Sequence, residues 1–147
     1  MTKAIYFDMD GTFVNFYGVD GWLDSLMAEH TKPYRIAKPL IDMREFGKAI
    51  NHLQNLGYHV GIVSWLSKTS TEQYDKRVTK AKLDWLNKHL SAVEWDEIAI
   101  VPYGMTKAKV VKYSDGILFD DEKPNRIEWD GIAFDVDNII EILKKMA

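Results

Sequence analysis

Cysteine is absent from the 147 residues, which excludes a disulfide framework and a cysteine-ligated zinc site and leaves the redox compartment open. Charge of either sign is in little excess: 19 Lys and Arg against 22 Asp and Glu give a net −3. The electrostatic footprint of sequence-independent binding to DNA or to an anionic membrane is missing, so neither is an expected partner. Long apolar runs are missing as well. Only Ala4-Ile5-Tyr6-Phe7 separate Lys3 from Asp8, too few for a signal-peptide core or a membrane span, and the expectation is a cytoplasmic protein. Neither a glycine-rich dinucleotide fingerprint nor a Gly-Lys-Ser/Thr phosphate loop occurs, which argues against dehydrogenase and nucleoside-triphosphatase chemistry. The histidines at 30, 52, 59 and 89 lack metal-ligand spacing and read as surface or packing residues.

What is present is a 46% hydrophobic chain long enough for one core and too short for two ordinary domains. Its apolar residues alternate between two patterns. Short runs at 4–7, 58–63, 98–101, 116–119 and 132–134 read as buried strands. Between them Leu40, Met43, Phe46, Ile50, Leu53 and Leu56 mark one face of a helix that Gly57 would close in a left-handed cap. Tyr74, Val78, Ala81 and Trp85 mark a second helix over 71–90, and Ile139, Ile140, Leu143 and Met146 a third at the C-terminus. This alternation predicts an α/β fold, a three-layer Rossmann-like parallel sheet with helices on both faces. In such sheets ligands sit beyond the carboxyl ends of the strands, so the polar residues after each run matter most.

The first strand delivers Asp8-Met9-Asp10-Gly11-Thr12 and the fourth delivers Asp120-Asp121. If those strands are neighbours, their carboxylates converge and need a hard cation, for which Mg²⁺ with its preference for oxygen ligands is the natural choice. A phosphate held there would face Asp8 as nucleophile, with Asp10 as proton carrier. Ser64, placed as the cap of the second strand, and Lys107, near the start of a short helix, suit the transferring phosphoryl oxygens. Lys109 is the alternative to Lys107. Trp65 is either a stacking surface for a base or a core or rim residue, and Lys32, Arg35 and Lys38 form a basic loop that is either solvated or phosphate-facing.

These pieces in this order resemble the four motifs of the haloacid dehalogenase-like phosphatases, over nearly the whole chain. The resemblance implies a single hydrolase domain, 1–147, with a small cap insertion at about 15–38. It implies Asp8 as nucleophile and metal ligand, Asp10 as acid/base lending its main-chain carbonyl to the metal, and Ser64 and Lys107 as phosphate clamp. Asp120-Asp121 would be the second metal arm, with Asp121 as direct ligand and Asp120 behind it. Within that superfamily, Asp8-Met9-Asp10-Gly11 with Phe16, and Lys82-Leu83-Asp84-Trp85-Leu86, are similar to the 5′(3′)-deoxyribonucleotidases and their phage and bacterial relatives. Asn15 replaces their usual acid, and the segment from Tyr17 to Lys38 is shorter than their helical cap. The expected substrate is therefore a small phosphorylated metabolite such as a nucleoside or deoxynucleoside monophosphate. A polynucleotide end, a phosphoprotein or a non-catalytic phosphate-binding module are the alternatives, and a homodimer is an expectation should a second subunit cover the site.

Overall fold

The computed structural model describes residues 2–68 and 71–147. Five parallel strands, β1 (Ala4–Phe7), β2 (His59–Trp65), β3 (Glu97–Val101), β4 (Ile117–Phe119) and β5 (Ile132–Phe134), form one sheet in the order β3-β2-β1-β4-β5. The central β1 is buried along its whole length, as a strand covered on both faces must be. Its side chains alternate between two cores: Ile5 and Phe7 enter the larger one, Ala4 and Tyr6 the smaller one. In the larger core Phe7 stacks on Phe119 at 5.2 Å and meets Phe46 edge-on at 5.0 Å. Full burial of each such side chain stabilises the fold by about 1.5–3 kcal/mol.

Seven helices connect or follow the strands among the described residues: α1 (Trp22–Met27), α2 (Lys32–Ile36), α3 (Met43–Asn55), α4 (Glu72–His89), α5 (Lys107–Val110), α6 (Lys123–Glu128) and α7 (Ile139–Met146). The buried faces of α3, α4 and α7 share the larger core, through Phe46, Ile50, Leu53, Val78, Trp85 and Leu143. Ala108 and Val110 of α5, with Trp129 after α6, cover the opposite face, giving three layers. The α3 stripe is shorter than its spacing predicts. Asp42 accepts hydrogen bonds from the Arg44 and Glu45 amides at 2.9 and 3.1 Å, a side-chain cap that starts the helix at Met43 and leaves Leu40 outside it. Gly57, at φ 95°, ends the turn after the helix in the expected left-handed conformation.

Strand β2 also differs from its expected bounds. It runs on to Trp65, so Ser64 pairs with Ile100 inside the ladder instead of capping the strand. The insertion between β1 and α3 is closed at its base, where Val14 bridges Pro39 and the Asn15 amide donates to the Lys38 carbonyl at 2.8 Å. It holds α1 and α2 and lies down on α4. The Trp85 indole donates to the Ala37 carbonyl, and the Tyr74 hydroxyl to the His30 carbonyl, both at 2.8 Å. Among the described residues no helix is long and apolar enough to cross a membrane.

Candidate active site

From β1 the chain goes to β2 and β3 on one side, then crosses back to β4 and β5 on the other. The crevice at such a switch point lies at the carboxyl ends of β1 and its neighbours. Register decides which side chains meet there. Phe7 pairs with Phe119, so the next residues of the two strands, Asp8 and Asp120, leave the sheet side by side. The Asp8 amide donates to the Phe119 carbonyl at 3.0 Å, and the Asp120 amide to the Phe134 carbonyl at 3.2 Å. Carboxylate oxygens of Asp8, Asp120 and Asp121 all fall within 4.8 Å of one another.

A tight turn returns the chain after Asp8: the amides of Thr12, Phe13 and Val14 all point at the Met9 carbonyl, at 3.0–3.2 Å. Gly11 carries that turn at φ 82°, and a Cβ there would collide with Asp121 Oδ2. Only glycine meets both demands. The turn places the Thr12 hydroxyl 3.0 Å from Asp8 Oδ2, to which it donates.

Two buried lysines serve the carboxylates. Lys107, at the first turn of α5, donates to Asp8 Oδ1 at 2.9 Å and to Asp120 Oδ2 at 2.7 Å. Burial would lower its pKa, but the Asp8 and Asp120 carboxylates outweigh that and raise it, so the ammonium stays charged. Lys109 is exposed on the same helix and has no contact with the cluster. The second lysine is Lys82 of α4, which donates to Asp10 Oδ2 at 2.9 Å, Ser64 Oγ at 2.6 Å and the Trp65 carbonyl at 2.8 Å. Sequence reasoning gave it no role. A signal was present, because 78, 82 and 85 fall on one face of α4 and a lysine within an apolar stripe has to meet a partner indoors.

Asp10 stands apart from the other three acids. Its carboxylate faces Lys82, and its side chain is not in the three-carboxylate group. Burial pushes its carboxyl upward in pKa, with Lys82 pulling the other way. Asp120 is fully engaged: Oδ2 accepts from Lys107 and from Asn125 at 3.2 Å, and Oδ1 from the Glu122 amide at 2.9 Å. Asp121 is half-buried, lines the cavity and accepts a long hydrogen bond, 3.4 Å, from the Thr12 hydroxyl, with the Asp8 carboxylate beside it. Of the adjacent pair it is the one with oxygens to spare.

The three acids suit a hard cation. All donors are oxygens, they converge within one coordination shell, and like charges so close repel unless a cation lies between them. Burial and then the Asp8 charge push Asp120 up to about 6 and Asp121 up to about 8. A carboxyl raised in the folded state holds a proton there that the unfolded chain releases. Each group therefore destabilises the metal-free fold as pH climbs from its unfolded value, 3.8, through about 6 for Asp120 and about 8 for Asp121. Melting in EDTA is expected to fall between pH 5.5 and 8.5, while the rise in melting temperature on adding Mg²⁺ grows across the same range. An Mg²⁺ increment that is equal at both ends of that range would refute the cluster as the ion's seat.

Above the acids lies a cavity of about 440 Å³ whose floor includes Asp8, Asp10, Lys107 and Asp121. Its walls carry six aromatic rings, Phe16, Tyr17, Trp22 and Tyr34 from the insertion and Trp65 and Tyr103 from the strand ends, beside Leu23, Leu26 and Leu66 and the polar Ser67, Lys68, Glu122 and Asn125. Trp65 is fixed by its indole donating to the Met105 carbonyl at 2.8 Å and by Tyr103, 4.9 Å away, which makes it a rim residue. A larger hollow of about 610 Å³, lined by Lys32 and Arg35, contains no residue of the acidic cluster. Lys32 and Arg35 therefore line a hollow separate from the acids, while Tyr34 between them lines the acid cavity. His59 bonds Glu97 at 2.9 Å and His89 packs on Trp85 at 4.2 Å, both as packing residues.

No family model matches the chain, and no curated protein matches it in sequence. Among solved structures it is similar to D,D-heptose 1,7-bisphosphate phosphatase from Burkholderia thailandensis, with a TM-score of 0.61 and 13% identity over 99% of this chain and 98% of that one. At so low an identity the likeness is one of architecture alone: the chain is an α/β fold, a five-stranded parallel sheet with helices on both faces, like that neighbour.

Proposed function

We propose that the chain is a magnesium-dependent phosphomonoester hydrolase working through an aspartyl-phosphate on Asp8. The observation that carries this reading is the convergence of three carboxylates within 4.8 Å, beside the buried Lys107, with two of them, Asp8 and Asp121, open to a cavity. Bound Mg²⁺ supplies positive charge for the phosphoryl oxygens and lowers the repulsion among the acids. Asp8 attacks phosphorus as the bond to the leaving oxygen breaks, and the Asp10 carboxyl gives that oxygen its proton. The resulting Asp10 carboxylate then takes a proton from water as the water oxygen displaces Asp8. The upward push of burial on Asp10 suits the first of these roles. Lys107 balances charge at the nucleophile; Ser64, the other half of the expected phosphate clamp, is 1% exposed, does not line the cavity and is held by Lys82.

The leaving group follows from the walls. A neighbour of the same fold is named for a heptose bisphosphate, yet the cavity here is lined by six aromatic rings. Such rings offer faces for stacking, which favours a ring-bearing ester such as a nucleoside or deoxynucleoside monophosphate. A volume of about 440 Å³ holds a molecule of that size. Purified protein with Mg²⁺ is expected to release phosphate from a deoxynucleoside monophosphate and from 4-nitrophenyl phosphate, and EDTA is expected to stop it. Thermal stabilisation by Mg²⁺ with no phosphate released from a broad panel of phosphorylated metabolites would instead mark a binding module.

A further inference from the structure

We propose that Lys82 is a positioning residue that holds the Asp10 carboxyl and the Ser64 hydroxyl in place for protonation of the leaving group; this rests on the phosphatase reading above. An ammonium has three protons to donate, and Lys82 has three acceptors: Asp10 Oδ2 at 2.9 Å, Ser64 Oγ at 2.6 Å and the Trp65 carbonyl at 2.8 Å. Its side chain is 1% exposed, and the Tyr34 ring lies 5.3 Å from its nitrogen. With every proton committed, it has none to offer a phosphate. Its influence passes through its partners.

Those partners come from separate elements. Asp10 sits on the turn after β1, Ser64 and Trp65 on β2, and Lys82 reaches both from α4. Among the described residues Lys82 is the one side chain that donates to the Asp10 carboxylate. Because Ser64 Oγ accepts from Lys82, the hydroxyl's own proton is directed elsewhere. Deleting the ammonium frees both groups to rotate. A buried ion pair that merely ties α4 to the end of β2 has the same contacts, so the test must read the chemistry.

The leaving group supplies that reading. When the phosphorus–oxygen bond of an alkyl ester breaks, the departing alkoxide requires the Asp10 proton. The 4-nitrophenolate anion is stable and leaves without one. The value of kcat/KM reports only the steps through that bond cleavage, so the later role of Asp10 as base does not enter it. Lys82→Met is expected to lower kcat/KM for an alkyl monophosphate by about 10²-fold, and at least about tenfold more than for 4-nitrophenyl phosphate. The melting increment from Mg²⁺ is expected to stay at its wild-type value, since Lys82 contacts none of Asp8, Asp120 and Asp121.

Should Lys82→Met not fold, Lys82→Arg carries the comparison. A planar guanidinium keeps the charge but does not match three acceptors converging on one nitrogen, so a smaller selective loss in the same direction is expected. Equal losses on the two esters, or no loss on either, overturn the positioning role and leave the phosphatase reading intact. Wild-type protein that releases phosphate from neither ester overturns the phosphatase reading, and this inference with it.

Discussion

Asp8→Asn is expected to lower kcat by about 10⁴-fold or more while leaving the fold and its metal-free stability in place. The substitution keeps the shape of the side chain and removes its nucleophilic oxygen pair. Asp8 Oδ1 receives the Lys107 ammonium at 2.9 Å and Oδ2 the Thr12 hydroxyl at 3.0 Å. An amide in the same place turns its carbonyl oxygen to Lys107 and its NH₂ to the Thr12 oxygen, which can accept, so both contacts survive. One negative charge leaves a group of three. The Asp8 charge is the second cause, after burial, of the raised pKa values of Asp120 and Asp121, so both carboxyls are expected to titrate lower in the variant. Metal-free Asp8→Asn protein should accordingly melt at or above the wild-type temperature near pH 8, the reverse of what a structural acid would show. Initial rates on 4-nitrophenyl phosphate and melting curves in EDTA measure the two halves. Turnover within tenfold of wild type removes Asp8 as the nucleophile.

The split between what the chain's pattern disclosed and what it concealed follows from burial. Each strand is an apolar run because both faces of a parallel sheet are covered, and the acids stand out because they terminate those runs. The shortest helices gave no periodic signal. In α1 no residue is buried, and α2 and α6 are five and six residues long; Pro33 and Pro124 at their first turns were the available signs. Ser64 was visible as a residue and misplaced by the polar look of a serine, since the strand continues through the half-buried Trp65. Lys82 was concealed by the reasonable expectation that a lysine is solvated. The separate lysine partners of Asp10 and Asp8 were equally out of reach, because only the register of the turn sends one carboxylate to Lys82 and the other to Lys107. Contacts between residues 72 and 99 positions apart have no local signature.

Lys107→Met is the complementary experiment, because it removes the positive member of the cluster. Lys107 is 3% exposed, and Asp120 is fully buried against it. Stripping the cation from a buried pair typically costs about 3–5 kcal/mol, since the charges left behind are neither solvated nor matched. Protonation offers relief. With the ammonium gone, Asp120 is expected to rise further in pKa than the value near 6 it has beside it, and the lost stability is recovered as pH falls. The loss of melting temperature in EDTA should therefore be larger at pH 8 than at pH 5.5. Mg²⁺ restores part of it at pH 8 by returning positive charge to the same oxygens. Activity does not return with stability, because the ion cannot take the position of the ammonium 2.9 Å from Asp8 Oδ1 and 2.7 Å from Asp120 Oδ2 while also meeting a phosphate. A fall in kcat of about 10²–10³-fold in saturating Mg²⁺ is expected, the range found when one preorganised charge donor is removed. Melting curves at the two pH values, with and without Mg²⁺, and kcat on 4-nitrophenyl phosphate decide it. A variant that melts like wild type at pH 8 in EDTA, or turns over within threefold of it, shows that Lys107 neither balances the acids nor serves the nucleophile.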